Sequence, residues 1–111
     1  MSSNFVPEAG DVIWLDFNPQ AGHEQAGHRP ALVISPGSYN SKTGLLVCCP
    51  LTTKSKGYPF EVRIGDEEDS VVLADQVKSL DWQARNAKKK STVSAEVLAE
   101  TRAKLTVLIA G

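Results

Sequence analysis

Between Gly22 and Ser35 the chain reads GHEQAGHRPALVIS, bringing a carboxylate (Glu24), an imidazole (His28) and a guanidinium (Arg29) into one short segment ahead of an apolar run. A carboxylate can accept a proton, an imidazole titrates near pH ~6.5, and a guanidinium stays charged while matching phosphate oxygens with a planar fork. Such a set is a reaction site in outline, suited to acid–base chemistry. Gly22, Gly27 and Pro30 mark the segment as a loop, where reactive side chains commonly sit on a rigid sheet. The same residues also make an ordinary solvated loop, so the rest of the chain must decide.

The elements that hold this loop are mostly strands. Asp11 to Phe17 alternates, with Ile13, Leu15 and Phe17 on one face and Val12, Trp14 and Asp16 on the other. Pro30 opens a second run, ALVIS, and Leu45 to Thr52 forms a third. Pro36, Gly37, Ser38, Asn40 and Gly44 between them read as the turn of a long-looped hairpin. Phe60 to Ile64 and Ser70 to Ala74 flank an acidic turn (Asp66, Glu67, Glu68, Asp69) and read as another hairpin, after which Gln76 to Leu80 continues extended. Only the C-terminal end reads as helical. Ser94 is its N-cap, Glu96 lies in its first turn, and Leu98, Thr101, Leu105 and Leu108 form the stripe expected to pack on the sheet. The pattern predicts a mainly β protein, a small curled barrel closed by a C-terminal helix.

Length and composition bound the possibilities. The 111 residues fit one domain, 1–111, and 41% hydrophobic with 23% charged residues is a globular balance. No apolar run approaches the ~20 residues of a membrane span, and MSSNFVPEAG lacks a signal-peptide pattern, so a cytoplasmic protein is expected. Cys48 and Cys49 are strand neighbours that point to opposite faces and read as buried thiols. His23 and His28 give no zinc spacing, so neither a metal nor another cofactor is expected. A net charge of −1 does not advertise a nucleic-acid binder. Its distribution is uneven, however, with Lys54 and Lys56 in one loop and Arg85, Lys88, Lys89 and Lys90 in a second run that reads as solvated surface.

Taken with GHEQAGHRPALVIS, four further stretches carry a resemblance: GDVIWLDFNP (Gly10 to Pro19), Tyr39–Asn40, PLTTKSKGYPFEV (Pro50 to Val62) and LADQVKSLDW (Leu73 to Trp82). Together they resemble the MazF/PemK toxins of bacterial toxin–antitoxin pairs. The resemblance implies an SH3-like barrel of the CcdB/PemK/MazF plasmid-maintenance toxin type, working as a homodimer. It also implies a metal-independent, sequence-specific endoribonuclease that cleaves single-stranded RNA at ACA-like sites, leaving a 2′,3′-cyclic phosphate and a 5′-hydroxyl. By that resemblance Glu24, Arg29 and Thr52 are the catalytic residues, with Arg29 and Thr52 on the phosphate and Glu24 the general base. Phe17, His28, Lys54, Lys56, Gln76 and Lys78 are the expected RNA-binding residues, with Trp14 and Tyr58 as further aromatics on which bases can stack. The implied protein partner is a MazE-like antitoxin whose acidic C-terminal tail covers the RNA groove. The alternative is a non-enzymatic toxin of the CcdB type that poisons DNA gyrase, because a shared fold does not decide function.

Overall fold

The computed structural model describes residues 5–17, 27–65 and 69–111. In chain order these form β1 (Asp11–Asp16), β2 (His28–Val33), α1 (Gly37–Thr43), β3 (Leu45–Thr52), β4 (Glu61–Arg63), β5 (Val71–Leu73), a 3₁₀ turn (Ala74–Gln76), β6 (Lys78–Asp81), β7 (Lys88–Thr92) and α2 (Ala95–Ala110). Every pairing is antiparallel, in the order β4-β5-β3-β2-β1-β7, with β6 also on β3.

β3 is the strand on which the others converge. One edge carries β2, while the other carries β6 along Leu45 to Cys48 and then β5 at Leu51 and Thr52. Pro50 lacks an N–H, and it stands between the last β6 pair and the first β5 pair, where a missing ladder donor costs least. This change of neighbour bends the layer into a barrel-like form.

Strand alternation sorts the apolar residues into two cores. Ile13, Leu15, Phe17, Ala31, Val33, Leu46, Cys48, Leu80 and Trp82 pack together, whereas Val12, Leu32, Cys49, Leu51, Val62 and Val72 pack beneath α2 with Val97 and Leu105. The adjacent cysteines thus enter different cores, as their alternation predicted, and both are free thiols. Ser94 caps α2, its hydroxyl accepting from the Val97 N–H at 3.2 Å. The buried stripe of α2 is Val97, Thr101 and Leu105, while Leu98 is only half-buried and Leu108 is 45% exposed. The expected stripe was therefore displaced at both ends, because the sheet meets α2 through the i, i+4, i+8 row that starts at Val97.

Four local expectations change. The first is the start of the second strand: β2 opens at His28 and not at Pro30, so His28 and Arg29 stand on a strand and not on the loop, because β1 pairs with them across Leu15 and Asp16. The segment read as a turn contains α1, whose Gly, Ser, Asn and Thr residues are poor helix formers. Tertiary contacts hold it: the fully buried Asn40 accepts from Ser35 Oγ (2.6 Å) and donates to the Pro7 and Ser35 carbonyls, while its own carbonyl accepts from Trp82 Nε1 (2.9 Å). The expected turn residues instead bound the helix, Pro36 before it and Gly44, at φ +73°, in the left-handed cap. Gln76 belongs to the 3₁₀ turn, so the extended path begins at Lys78. The basic run from Lys88 is exposed, as expected of solvated surface, but it is also strand β7 on the edge of β1. Residues 66–68 of the acidic turn lie outside the described residues.

Asn40→Ala would strand the buried groups of Ser35 and Pro7. A loss of about 2–3 kcal/mol is expected, read by urea unfolding as a lower midpoint at unchanged slope.

Candidate active site

Strand register brings Arg29 and Thr52 to the same end of the β2–β3 pair. β2 and β3 pair Val33 with Cys48, Leu32 with Cys49 and Ala31 with Pro50, so the same antiparallel register carried two residues further aligns Arg29 with Thr52. The two-residue period puts both on the face that buries Ala31, Val33 and Cys48. Arg29 is half-buried and Thr52 is 9% exposed. The Thr52 hydroxyl oxygen accepts from the Lys54 N–H at 3.1 Å, which leaves the hydroxyl proton for a second partner.

Lys78 stands further along the same sheet, where β6 sets it opposite Cys48, four residues before Thr52 on β3. Its ammonium lies 5.7 Å from the centre of the Phe17 ring. Gln76 ends the 3₁₀ turn two residues earlier and is half-buried. β2, β3, the 3₁₀ turn and β6 thus carry a guanidinium, a hydroxyl, an amide and an ammonium, groups that can donate hydrogen bonds to an anion. Phe17, expected to stack on RNA bases, is instead 1% exposed within the core, so no ring face is open to a base. Alternation with Ile13 and Leu15 is the reason. The ring supports Lys78 from below.

Lys54 and Lys56 stand on the loop between β3 and β4, both exposed and neither with a carboxylate partner among the described residues. The Lys56 ammonium is 6.0 Å from the ring centre of Tyr58, which is 59% exposed. Glu61 organises this loop from within: its carboxylate accepts from Ser55 Oγ (2.6 Å), the Lys56 N–H (2.9 Å) and the Gly57 N–H (3.1 Å). The Ser55 hydrogen bond foremost, then that of Lys56, holds the Glu61 carboxyl below the usual carboxylate range. Sequence reading missed Glu61, since one Glu at the mouth of a strand carries no signal until the loop folds back on it.

His28 goes elsewhere. It pairs with Asp16 and alternates away from Arg29, so it shares a face with Trp14, whose ring stacks on the imidazole with centroids 5.3 Å apart and planes at 8°. The Lys90 ammonium sits 5.8 Å from the Trp14 ring centre. Asp16 Oδ1 lies 3.0 Å from His28 Nδ1, and Asp16 Oδ2 accepts from Asn86 Nδ2 at 3.0 Å. The Asn86 bond first, and then that of His28, lowers the Asp16 carboxyl from its ordinary value. The imidazole thus lies on the opposite side of β2 from the Arg29 side chain, against Trp14 and Asp16.

Glu24 lies outside the described residues, as does His23. The segment that carries them leaves at Phe17 and returns at Gly27, and these two residues are joined by a Phe17 N–H to Gly27 carbonyl bond of 2.8 Å. Glu24 thus belongs to the connection whose described ends abut Arg29. Among the described residues no three His, Cys, Asp or Glu side chains gather as metal ligands. Burial pushes the Cys48 thiol far up and the Cys49 thiol to about 12, which leaves both unreactive.

The sequence profile of the PemK-like, MazF-like toxins of type II toxin–antitoxin systems matches residues 8–109. The chain belongs to this family. The endoribonuclease toxin MazF of Escherichia coli K12 is 60% identical over 110 residues, spanning 98% of this chain and 99% of that protein. Among solved structures, a MazF crystal structure from Deinococcus radiodurans superposes with a TM-score of 0.92 at 52% identity, covering 97% of this chain and all of that one. A MazE–MazF crystal structure from the same organism gives a TM-score of 0.86 at 52% identity, covering 96% and 98%. The mainly β barrel with its C-terminal helix is thus the PemK/MazF-like fold.

An ionised carboxylate only accepts, so neutral His28 must carry its proton on Nδ1 to bond Asp16. Nitrogen-15 NMR should show the Nδ1–H tautomer, and Asp16→Ala should shift His28 toward Nε2–H.

Proposed function

We propose that this PemK/MazF-like toxin is a sequence-specific, metal-independent endoribonuclease that cleaves single-stranded mRNA in the cytoplasm at ACA-like sites and so blocks translation. The observation that carries this reading is the β2–β3 register, which sends Arg29 and Thr52 to the same end of the two strands and to the same face. A phosphodiester placed there meets a guanidinium and a hydroxyl that can still donate its proton.

Cleavage has three tasks. The ribose 2′-hydroxyl must lose its proton, the phosphate oxygens must be stabilised as charge builds, and the leaving 5′-oxygen must gain a proton. Arg29 takes the second task, since its fork matches two phosphate oxygens and its pKa above ~12 keeps it charged. Thr52 donates to the same group. Glu24 is assigned the first task, from the connection beside Arg29. Attack by the 2′-oxygen forms the new phosphorus–oxygen bond as the bond to the 5′-oxygen breaks. Glu24 takes the 2′-hydroxyl proton and the 5′-oxygen takes one up from solvent water, which leaves a 2′,3′-cyclic phosphate and a 5′-hydroxyl. The reaction needs no metal for its electron balance. Gln76 and Lys78 line the groove, while Lys54 and Lys56 grip the backbone as point charges.

Its protein partner is a MazE-like antitoxin, in keeping with the MazE–MazF assembly from D. radiodurans. An acidic tail suits the exposed Lys54 and Lys56 as RNA phosphates do. The toxin works as a homodimer, a state favoured by the apolar end of α2, where Val107 and Ile109 are 61% and 76% exposed. The gyrase-poison alternative has no use for an Arg–Thr pair aligned in this way.

Arg29→Ala should abolish cleavage of a single-stranded RNA in excess EDTA, in which the unaltered protein stays fully active, while circular dichroism remains native. Loss of the fold together with activity would make Arg29 structural, and a magnesium requirement would overturn the metal-independent mechanism. Lys56→Ala should weaken RNA binding and flatten the slope of log affinity against log salt by about 0.7. It should weaken binding of an acidic-tailed antitoxin as well, and an unchanged salt slope would show that Lys56 acts through loop structure instead.

A further inference from the structure

The loop that offers Lys54 and Lys56 has little to hold it. It contains neither helix nor strand, its residues 53–59 are exposed, and Gly57 adopts φ +72°, where other L-residues are strained. One side chain supplies three of its hydrogen bonds. Glu61 opens β4, and its carboxylate turns back to collect the Ser55 hydroxyl and two successive backbone N–H groups, of Lys56 and Gly57. A further Gly57 N–H to Ser55 Oγ contact of 3.3 Å and the Glu61 N–H to Tyr58 carbonyl bond of 3.1 Å close the same turn. Glu61 is itself anchored, because its carbonyl accepts from Lys104 Nζ of α2 at 2.8 Å, and Lys104 also pairs with Glu100 at 3.1 Å.

A chain runs from α2 through Glu61 to the backbone N–H of Lys56, the residue assigned to grip RNA. We infer that Glu61 is a positioning residue for substrate binding, its carboxylate folding the 54–58 loop into the shape that presents Lys54 and Lys56 to the RNA backbone. The inference rests on the ribonuclease reading above. Its physical content is the cost of ordering: two long, exposed side chains bind a phosphate chain more tightly when their backbone is already set, since less freedom is lost on binding. The opposite effect also exists. A carboxylate close to two lysines repels an incoming phosphate, so on charge alone its removal would tighten binding. The two effects have opposite signs on KM.

The test compares Glu61→Ala, Glu61→Gln and unaltered protein for kcat and KM on a short single-stranded RNA, with amide hydrogen exchange of the loop. Glu61→Ala should raise KM about tenfold, the loss expected when a charged hydrogen-bond acceptor is removed, while kcat stays within about twofold. The amides of Lys56 and Gly57 should exchange faster, while those of β1 to β3 keep their protection. Glu61→Gln keeps one acceptor oxygen and should recover part of the KM. In a Lys54→Ala/Lys56→Ala background the further Glu61→Ala change should move KM less than about twofold, since Glu61 then has no lysines left to position. A lower KM in Glu61→Gln, a fall in kcat at constant KM, unchanged loop exchange, or a full tenfold effect in the lysine-free background would each overturn the inference. A folded, unaltered protein that fails to cleave RNA would instead overturn the ribonuclease reading.

Discussion

The register between β2 and β3 governs nearly everything else in the molecule. It aligns Arg29 with Thr52, and it also sends Cys48 and Ala31 to one core and Cys49 and Leu32 to the other. A one-residue slip would exchange the two faces, moving Arg29 and Thr52 off their shared row and turning apolar side chains outward. Each fully buried aliphatic or aromatic residue stabilises the fold by about 1.5–3 kcal/mol, so register is enforced by packing on both sides of the layer. The site inherits its geometry from that enforcement. Arg29 and Thr52 have no need to be neighbours in sequence, because Leu15, Phe17, Val33 and Leu46 hold their strands in step.

Charge placement follows a related logic. The chain as a whole is slightly acidic, yet many of its described carboxylates serve the fold itself. Glu61 folds the lysine loop, Asp16 ties His28 to Asn86, and Glu8 accepts from the Gly37 and Ala9 N–H groups beside α1. Asp11 faces Lys89 at 3.5 Å, and Glu100 faces Lys104. Lys54 and Lys56 remain with their charge directed at solvent, so a local positive surface exists on a protein whose net charge gives no hint of one. Glu8, Asp16 and Glu61 all have lowered carboxyl pKa values, each chiefly through the hydrogen bonds it accepts. Their contributions are therefore present above the ordinary carboxylate range and fade as pH falls through the lowered values.

The two faces of β2 give adjacent residues separate surroundings. Arg29 turns toward the Thr52 row, while His28 turns to Trp14 and Asp16, close to Lys90. A sequence motif that joins them in one stretch thus splits into a guanidinium side and an aromatic side.

The sequence alone determined the mainly β character, the strand β1 with its alternating faces, the opposed cysteines, the Ser94 cap and the family. These rest on local periodicity, cap chemistry and linear motifs, which are written in neighbouring residues. Tertiary structure decided what depends on distant partners. α1 forms from poor helix formers because Asn40 is buried among Ser35, Pro7 and Trp82, and β7 is a strand because β1 offers an edge to pair with. Phe17 is core rather than a stacking platform because Lys78 and the inner core enclose its ring. Likewise, Glu61 gains its role only when residues 55–57 fold back upon it. Periodicity reports which way a side chain points, but what it meets there is set by strands that lie far away in sequence.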